Sequence, residues 1–294
     1  MYDIAIIGAG PAGLSAAITA RSRNQQVLVL SNPLAASPLA RSQRVDNYPG
    51  MPEVSGLCLL QTMYAQAEKL GAEIREGRVV SVLPFGQQFA LTSGTEDYQA
   101  ATVILALGIA AAESFPGEAE FLGRGVSYCA TCDGMLFRGR RIAVIGLNSE
   151  AISEATFLQG IGCEVVYLAP KADSELMKLD VGIERRVGKV TAITGDGKGV
   201  TAIEFIDAAD QAAVQVDVAG VFILRPAIAP DALLPGLALD GAYIKVEKDM
   251  ATSVKGVFAA GDCVGKPLQI AKAVGQGQLA GFAAVDYLGN TNTA

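Results

Sequence analysis

Two segments with the same order of parts predict an α/β chain of two Rossmann-like nucleotide-binding domains of the three-layer ββα type, the second inserted into the first. Within residues 2–30 the order is a strand YDIAII, a glycine turn GAGPAG, a helix through LSAAITARS and a strand VLVL. RIAVIG at 141–146, SEAISEATFLQG and CEVVYL at 163–168 repeat it. A third observation closes the topology: GVFAAGDC at 256–263, followed by a Gly/Ala-rich helical stretch over 268–288, returns the chain to the first domain. Parallel strands joined through a helix are the unit from which such domains are wound. The expected boundaries are 1–112 with 241–294 for the first domain and 113–240 for the insert.

The intervening elements follow from pattern and punctuation. Residues 31–56, rich in Pro, Ser and Asn, form a long connection of the kind that often carries function. LCLLQTMYAQAEKL at 57–70 reads as a helix ended by Gly71, with strands near 79–83 and 88–93. TVILALG at 102–108 reads as a buried strand ending in glycine. Breaks fall in AAAESFPGEAEFLGRG and in PAIAPDALLPG at 226–236.

Composition narrows the chemistry. The 294 residues, 51% apolar with 33 glycines, suit two packed α/β domains. A net charge of −7 argues against nonspecific nucleic-acid binding. No apolar run reaches membrane-spanning length, and MYDIAIIGAG enters the folded pattern directly. The reading is therefore a cytoplasmic protein with no signal peptide. With no histidine, imidazole serves neither as base nor as metal ligand. Five cysteines, an odd count, do not make a disulfide framework; Cys58, Cys163 and Cys263 read as small apolar residues.

Gly8, Gly10 and Gly13 form GxGxxG between a strand and a helix. The first permits the turn, the second lets backbone approach a pyrophosphate, and the third lets helix and strand pack closely. The acidic residue that would hold a ribose hydroxyl is missing near Leu30; Ser31 and Asn32 are weak substitutes. Asp262, after Gly261, is placed to anchor the same cofactor or to cap a helix. In CATCDG at 129–134, two cysteines three apart can close a redox disulfide, and zinc would need outside ligands. Asp133 follows as an acid/base or a cap. A dinucleotide that reduces a disulfide points to FAD rather than NAD in the first domain.

These motifs together resemble the low-molecular-weight thioredoxin reductase family. CATCDG matches its active site; GAGPAG, DNYPG at 46–50, ALG at 106–108 and AAGDC at 259–263 match its FAD-domain motifs. The resemblance implies FAD bound by Gly8, Gly10, Pro11, Ala12, Gly13, Gly108, Gly261 and Asp262. Asn47, Gln269 and Ile270 are implied at the flavin ring. It further implies that Cys132 faces the flavin, that Cys129 attacks the disulfide of thioredoxin, that Asp133 is the acid/base, and that the protein is a homodimer.

The second glycine turn departs from the family. GLNSEA at 146–151 keeps Gly146 and Ala151, but Leu147 adds bulk, Asn148 replaces the second important glycine and Glu150 adds negative charge. Asn148 tolerates a left-handed backbone, so a turn is still expected there. The strand end YLAPKADSE offers Lys171 alone against Asp173 and Glu175, with no clamp for a 2′-phosphate. This combination resembles the ferredoxin-dependent flavin thioredoxin reductases, which implies ferredoxin as donor. Ferredoxin is acidic, so its docking face is sought among Arg138/Arg140/Arg141, Arg41/Arg44 and Arg185/Arg186. The alternatives are an NAD(P)H-dependent reductase with an atypical pocket and a flavin/thiol sensor that does not turn over. A second flavin in the altered domain is left open.

Overall fold

The computed structural model describes residues 1–108, 115–148, 151–172, 174–225 and 228–291. In chain order its elements begin β1 (Tyr2–Ile7), α1 (Pro11–Arg21), β2 (Val27–Ser31), α2 (Gly56–Lys69), β3 (Glu73–Glu76), β4 (Val79–Phe85), β5 (Gln88–Ser93) and β6 (Glu96–Leu105). They continue with α3 (Glu118–Phe121), β7 (Val126–Ser127), α4 (Ala130–Asp133), β8 (Arg141–Gly146), α5 (Ala151–Gly160) and β9 (Glu164–Ala169). Next come β10 (Glu184–Asp196), β11 (Gly199–Asp207), β12 (Ala213–Asp217) and β13 (Gly220–Leu224). The last are α6 (Pro230–Leu233), β14 (Leu239–Asp240), β15 (Tyr243–Ile244), β16 (Val257–Ala259) and α7 (Ile270–Thr291). The chain divides into two compact units, Met1–Ala111 with Ala229–Ala294, and Ala112–Ile228.

In the first unit the strand order is β3-β2-β1-β6-β5-β4, with β16 also on β6. β1 lies between β2 and β6, parallel to both, and Ile7 is level with Leu30 and Leu105. The Gly8 turn therefore leaves the middle of the carboxyl edge, where doubly wound sheets bind ligands. β6 begins at Glu96, earlier than the expected 102–108 strand, and ends at Leu105. Its polar first half pairs antiparallel with β5, and its apolar second half pairs in parallel with β1 and β16. Ile4, Ile6, Leu14, Val29, Leu59 and Leu60 are fully buried, each contributing about 1.5–3 kcal/mol by leaving water. α7 lies close on α1: a Cβ on Gly277 would come within 2.0 Å of the Ala12 carbonyl oxygen. That contact carries residues 261–269 to the start of α1.

In the second unit the order is β12-β11-β10-β9-β8-β13-β7. β7, β13, β8, β9 and the first four residues of β10 are parallel. The rest of β10 turns into an antiparallel meander with β11 and β12. Asp196 fixes the β10–β11 turn by accepting the N–H groups of Lys198 and Gly199. Ile142, Val144, Ala151, Ala155, Leu158 and Phe222 pack the α5 face.

The return to the first unit comes at Ala229, earlier than the expected 241. Leu233 and Leu234 are buried, β14 pairs with β15, and the Ala238 N–H donates to Ser253 Oγ at 2.8 Å. These bonds tie 230–240 to the chain that follows it. Among the described residues no helix is long and apolar enough to cross a membrane.

Candidate functional site

The first glycine turn uses each glycine differently. Gly8 has φ +111°, and a Cβ there would meet the Ala106 carbonyl oxygen at 2.3 Å. A Cβ on Gly13 would fall 1.8 Å from the Gly8 carbonyl oxygen. Gly10 has ordinary extended backbone (φ −78°), and a Cβ on it would meet nothing within 4 Å. Its missing side chain leaves open space before the amino end of α1, whose first N–H groups have no intrahelical acceptor. Pro11 fills the first helical position. Ser31, the weak ribose substitute, donates its hydroxyl to the Asn32 carbonyl.

The loop before α7 reaches the same place. Gly261 has φ +90°, and its Cβ position lies 2.8 Å from Ala12 Cβ. Asp262 next to it opens a short 3-10 turn, Asp262–Val264. Its Oδ1 is buried with no hydrogen-bond partner. Burial holds its carboxyl above the usual aspartate range, a rise that Lys272 opposes. Lys272 Nζ donates to the carbonyls of Gly261 (2.9 Å) and Gly265 (2.5 Å), and Gln276 Oε1 accepts the Gly261 N–H at 3.1 Å. Burial pushes the Lys272 ammonium down. Asn47 Nδ2 donates to Gln269 Oε1 at 3.0 Å, which brings together two residues expected at one ring. Ile270 opens α7 half-buried, and Gly108 follows β6 with φ +69°.

In the second unit Cys129 and Cys132 form a disulfide with Cα atoms 5.3 Å apart. Cys132 is exposed and Cys129 is buried. The Cys132 N–H donates to Cys129 Sγ at 3.2 Å, and Thr131 Oγ1 lies 3.4 Å from that sulfur. Asp133 Oδ2 accepts from Ser127 Oγ at 2.6 Å, and Ser127 Oγ in turn accepts the Cys129 N–H at 3.1 Å. The carboxylate thus reaches the backbone of the pair through one hydroxyl.

The second glycine turn is built differently from the first. Gly146 has no positive φ, and a Cβ on it would meet Tyr167 Oη at 1.9 Å. Tyr167, from β9, is buried and lies over the glycine. Asn148, which would tolerate a left-handed backbone, also has no positive φ. Its carbonyl accepts the Ala151 N–H at 3.4 Å. Glu150 and Asp173 lie outside the described residues, as does the Glu175 side chain; Lys171 is exposed at the end of β9.

Residues 2–277 match the family described as pyridine nucleotide-disulphide oxidoreductase. A thioredoxin reductase of Listeria innocua is 34% identical over 302 residues, covering 98% of this chain and 94% of the relative. The ferredoxin-flavin thioredoxin reductase of Clostridium acetobutylicum has a crystal structure with TM-score 0.87 and 36% identity, covering 100% of this chain and 99% of that one. A thioredoxin reductase from Gloeobacter violaceus gives TM-score 0.83 at 32% identity, with 100% and 96% covered. The chain belongs to the thioredoxin reductases.

Its α/β architecture and its cofactor, FAD, are those of the family. The site fits that cofactor on its own terms: Gly10 leaves room for a pyrophosphate, and the orphaned Asp262 oxygen is an acceptor that a ribityl or ribose hydroxyl would satisfy. Four side chains in this reductase lie outside the motifs. Lys272 and Gln276 continue from Gln269 at helical spacing along one face of α7, a polar stripe in a Gly/Ala helix that marks them in retrospect. Glu154 of α5 accepts the Ala130 N–H at 3.4 Å beside the cysteine pair. Tyr167 closes on Gly146 from β9, whose continuous apolar run marks it only as core.

The basic clusters do not stand equally. Arg44 pairs with Asp46 and Glu53, Arg141 with Glu164 and Glu184, and Arg186 with Glu184, while Arg185 donates to the Leu179 carbonyl. Among the described residues Arg41, Arg138 and Arg140 are exposed without an ion pair. Met135 and Leu136, 57% and 73% exposed, stand between the cysteine pair and Arg138.

Proposed function

We propose that this thioredoxin reductase is a homodimer that takes electrons from reduced ferredoxin and passes them through FAD and the Cys129–Cys132 pair to the disulfide of thioredoxin. The observation that carries the choice of donor is the second glycine turn. Tyr167 stands over Gly146, Asn148 replaces the open glycine, and the end of β9 shows a single exposed lysine. A nicotinamide dinucleotide needs backbone to approach its pyrophosphate at that turn. The similarity to the Clostridium acetobutylicum protein, a ferredoxin-flavin thioredoxin reductase, supports the same donor.

Bound FAD supplies the link between single-electron delivery and the two-electron chemistry of a disulfide. The chain's own residues set the direction of the exchange. Two electrons, which bound reduced FAD would supply, enter at the exposed Cys132 sulfur; the S–S bond opens, Cys129 is left as a thiolate and Cys132 as a thiol after taking up one proton. The Cys132 N–H and the Thr131 hydroxyl stand against the Cys129 sulfur and stabilise its charge. The Cys129 thiolate then attacks thioredoxin's disulfide, and Cys132 resolves the mixed disulfide. Thioredoxin leaves with two electrons and two protons, and the Cys129–Cys132 bond is restored. We assign the proton traffic to Asp133, acting through Ser127. Arg138 and Arg140, exposed and without an ion pair among the described residues, are the contact we assign to ferredoxin.

The test is an anaerobic donor panel with thioredoxin as acceptor. Reduced ferredoxin supports many turnovers, and micromolar NADPH or NADH leaves the flavin yellow. Prompt bleaching by either nucleotide overturns the donor assignment. C129S and C132S keep FAD and lose turnover; survival of turnover in either removes the pair from the route. A single thiol exchange without further turnover identifies a sensor instead.

A further inference from the structure

We infer that Glu118 is a positioning residue for the Cys129–Cys132 pair, acting through Tyr128 and held in place by Arg225. Glu118 and Arg225 form an ion pair at 2.8 Å with side chains only 3% and 4% exposed. The carboxylate is fully engaged. Oε1 accepts the Tyr128 hydroxyl at 2.8 Å, and Oε2 accepts the Phe115 N–H at 2.9 Å as well as the Arg225 guanidinium. The guanidinium also lies over the Phe115 ring, 5.3 Å from its centre. Phe115 and Glu118 lie near the start of the second unit, Arg225 lies near its end, and Tyr128 immediately precedes Cys129. One buried carboxylate therefore joins the incoming segment, the outgoing segment and the residue next to the redox pair.

A buried ion pair is weak evidence for stability, because desolvation offsets much of its attraction. What this pair adds is direction: three donors fix where the carboxylate points, and the carboxylate fixes the Tyr128 ring. Beyond Tyr128, the Cys129 N–H is held by Ser127 Oγ, which also binds Asp133. The backbone carrying both cysteines is thus pinned from Tyr128 to Asp133. A pinned frame keeps two thiols at high effective concentration and favours their disulfide. Loosening it shifts the equilibrium toward the dithiol.

The inference rests on Cys129–Cys132 being the working pair, and its test needs neither donor nor thioredoxin, so a wrong donor leaves it standing. The FAD-loaded full chain is equilibrated with reduced and oxidised dithiothreitol, and the pair is scored by thiol alkylation. Two electrons and two protons pass from dithiothreitol to the pair as the Cys129–Cys132 bond opens and the dithiothreitol ring closes. Y128F removes one hydroxyl and keeps the ring. Its disulfide should be about threefold to tenfold easier to reduce, the size of one lost hydrogen bond. The double variant E118Q/R225M removes the charge of both partners together and should shift the equilibrium the same way. Folded variants with lowered Tm and an equilibrium constant within about twofold of the unsubstituted protein would reduce Glu118 to a packing role and overturn the inference. If Y128F alone fails to fold, the double variant decides by the same criterion.

Discussion

At residues 8–13 the chain turns with Gly8 at φ +111° and leaves the side-chain space of Gly10 empty; at the end of β8, Gly146 and Asn148 have no positive φ and Gly146 lies under a tyrosine. Both turns leave the middle of a parallel sheet and start a helix whose inner face is alanine-rich. The secondary structure is thus indifferent to whether the turn admits a phosphate. What separates the turns is one absent side chain at Gly10 and one present side chain at Tyr167. A strand–turn–helix frame tells where a nucleotide would bind, and the space over the turn tells whether it does.

The sharpest test of that difference exchanges the same residue into both turns. Gly10→Val adds atoms where the fold has room, so the protein should fold and lose FAD affinity by about a hundredfold or more, as charge-assisted bonds to phosphate are displaced. Asn148→Val should leave flavin content and thioredoxin turnover unchanged. Equal loss of flavin in both, measured by absorbance of the purified proteins, would break the comparison. Asp262→Ala removes the orphaned acceptor and should weaken FAD binding by about tenfold to a hundredfold in a fluorescence titration. Lys272→Met frees the Gly261–Gly265 loop and should cost about threefold to tenfold in the same titration.

The smallest effect is a pH dependence confined to the first unit. Burial raises the Asp262 carboxyl, so the folded flavin-free chain keeps its proton through a window in which the unfolded chain has released it. The stability from this group is fully present below the ordinary aspartate value and is lost as pH rises through the raised one. Thermal melts of flavin-free protein should show that decline, and Asp262→Asn should flatten it. An unchanged profile in the variant assigns the dependence to other groups.

The parts of the molecule legible in the sequence are those whose chemistry is local. GAGPAG, CATCDG and GVFAAGDC each place backbone, sulfur or carboxylate by short spacing, and Asn47 with Gln269 came through the family resemblance. The unmarked parts are long-range. Glu118 meets Arg225 across 107 residues, and Tyr167 reaches Gly146 from the next strand. The β10–β12 meander carries no ligand motif, although the Asp196–Gly199 turn and the alternation around it are consistent with a hairpin. The early return at Ala229 depends on Leu233 and Leu234 being buried, which a Pro-rich stretch conceals.

β6 and α1 are completed by the chain's last elements, β16 and α7, which bring Asp262 to the amino end of α1. On the ribosome, the whole second unit emerges before those elements exist. The insert therefore has its complete set of strands while the sheet that surrounds it in sequence is still missing a member. A nascent chain cut before residue 257 therefore carries both Cys129 and Cys132 and still lacks β16, α7 and Asp262.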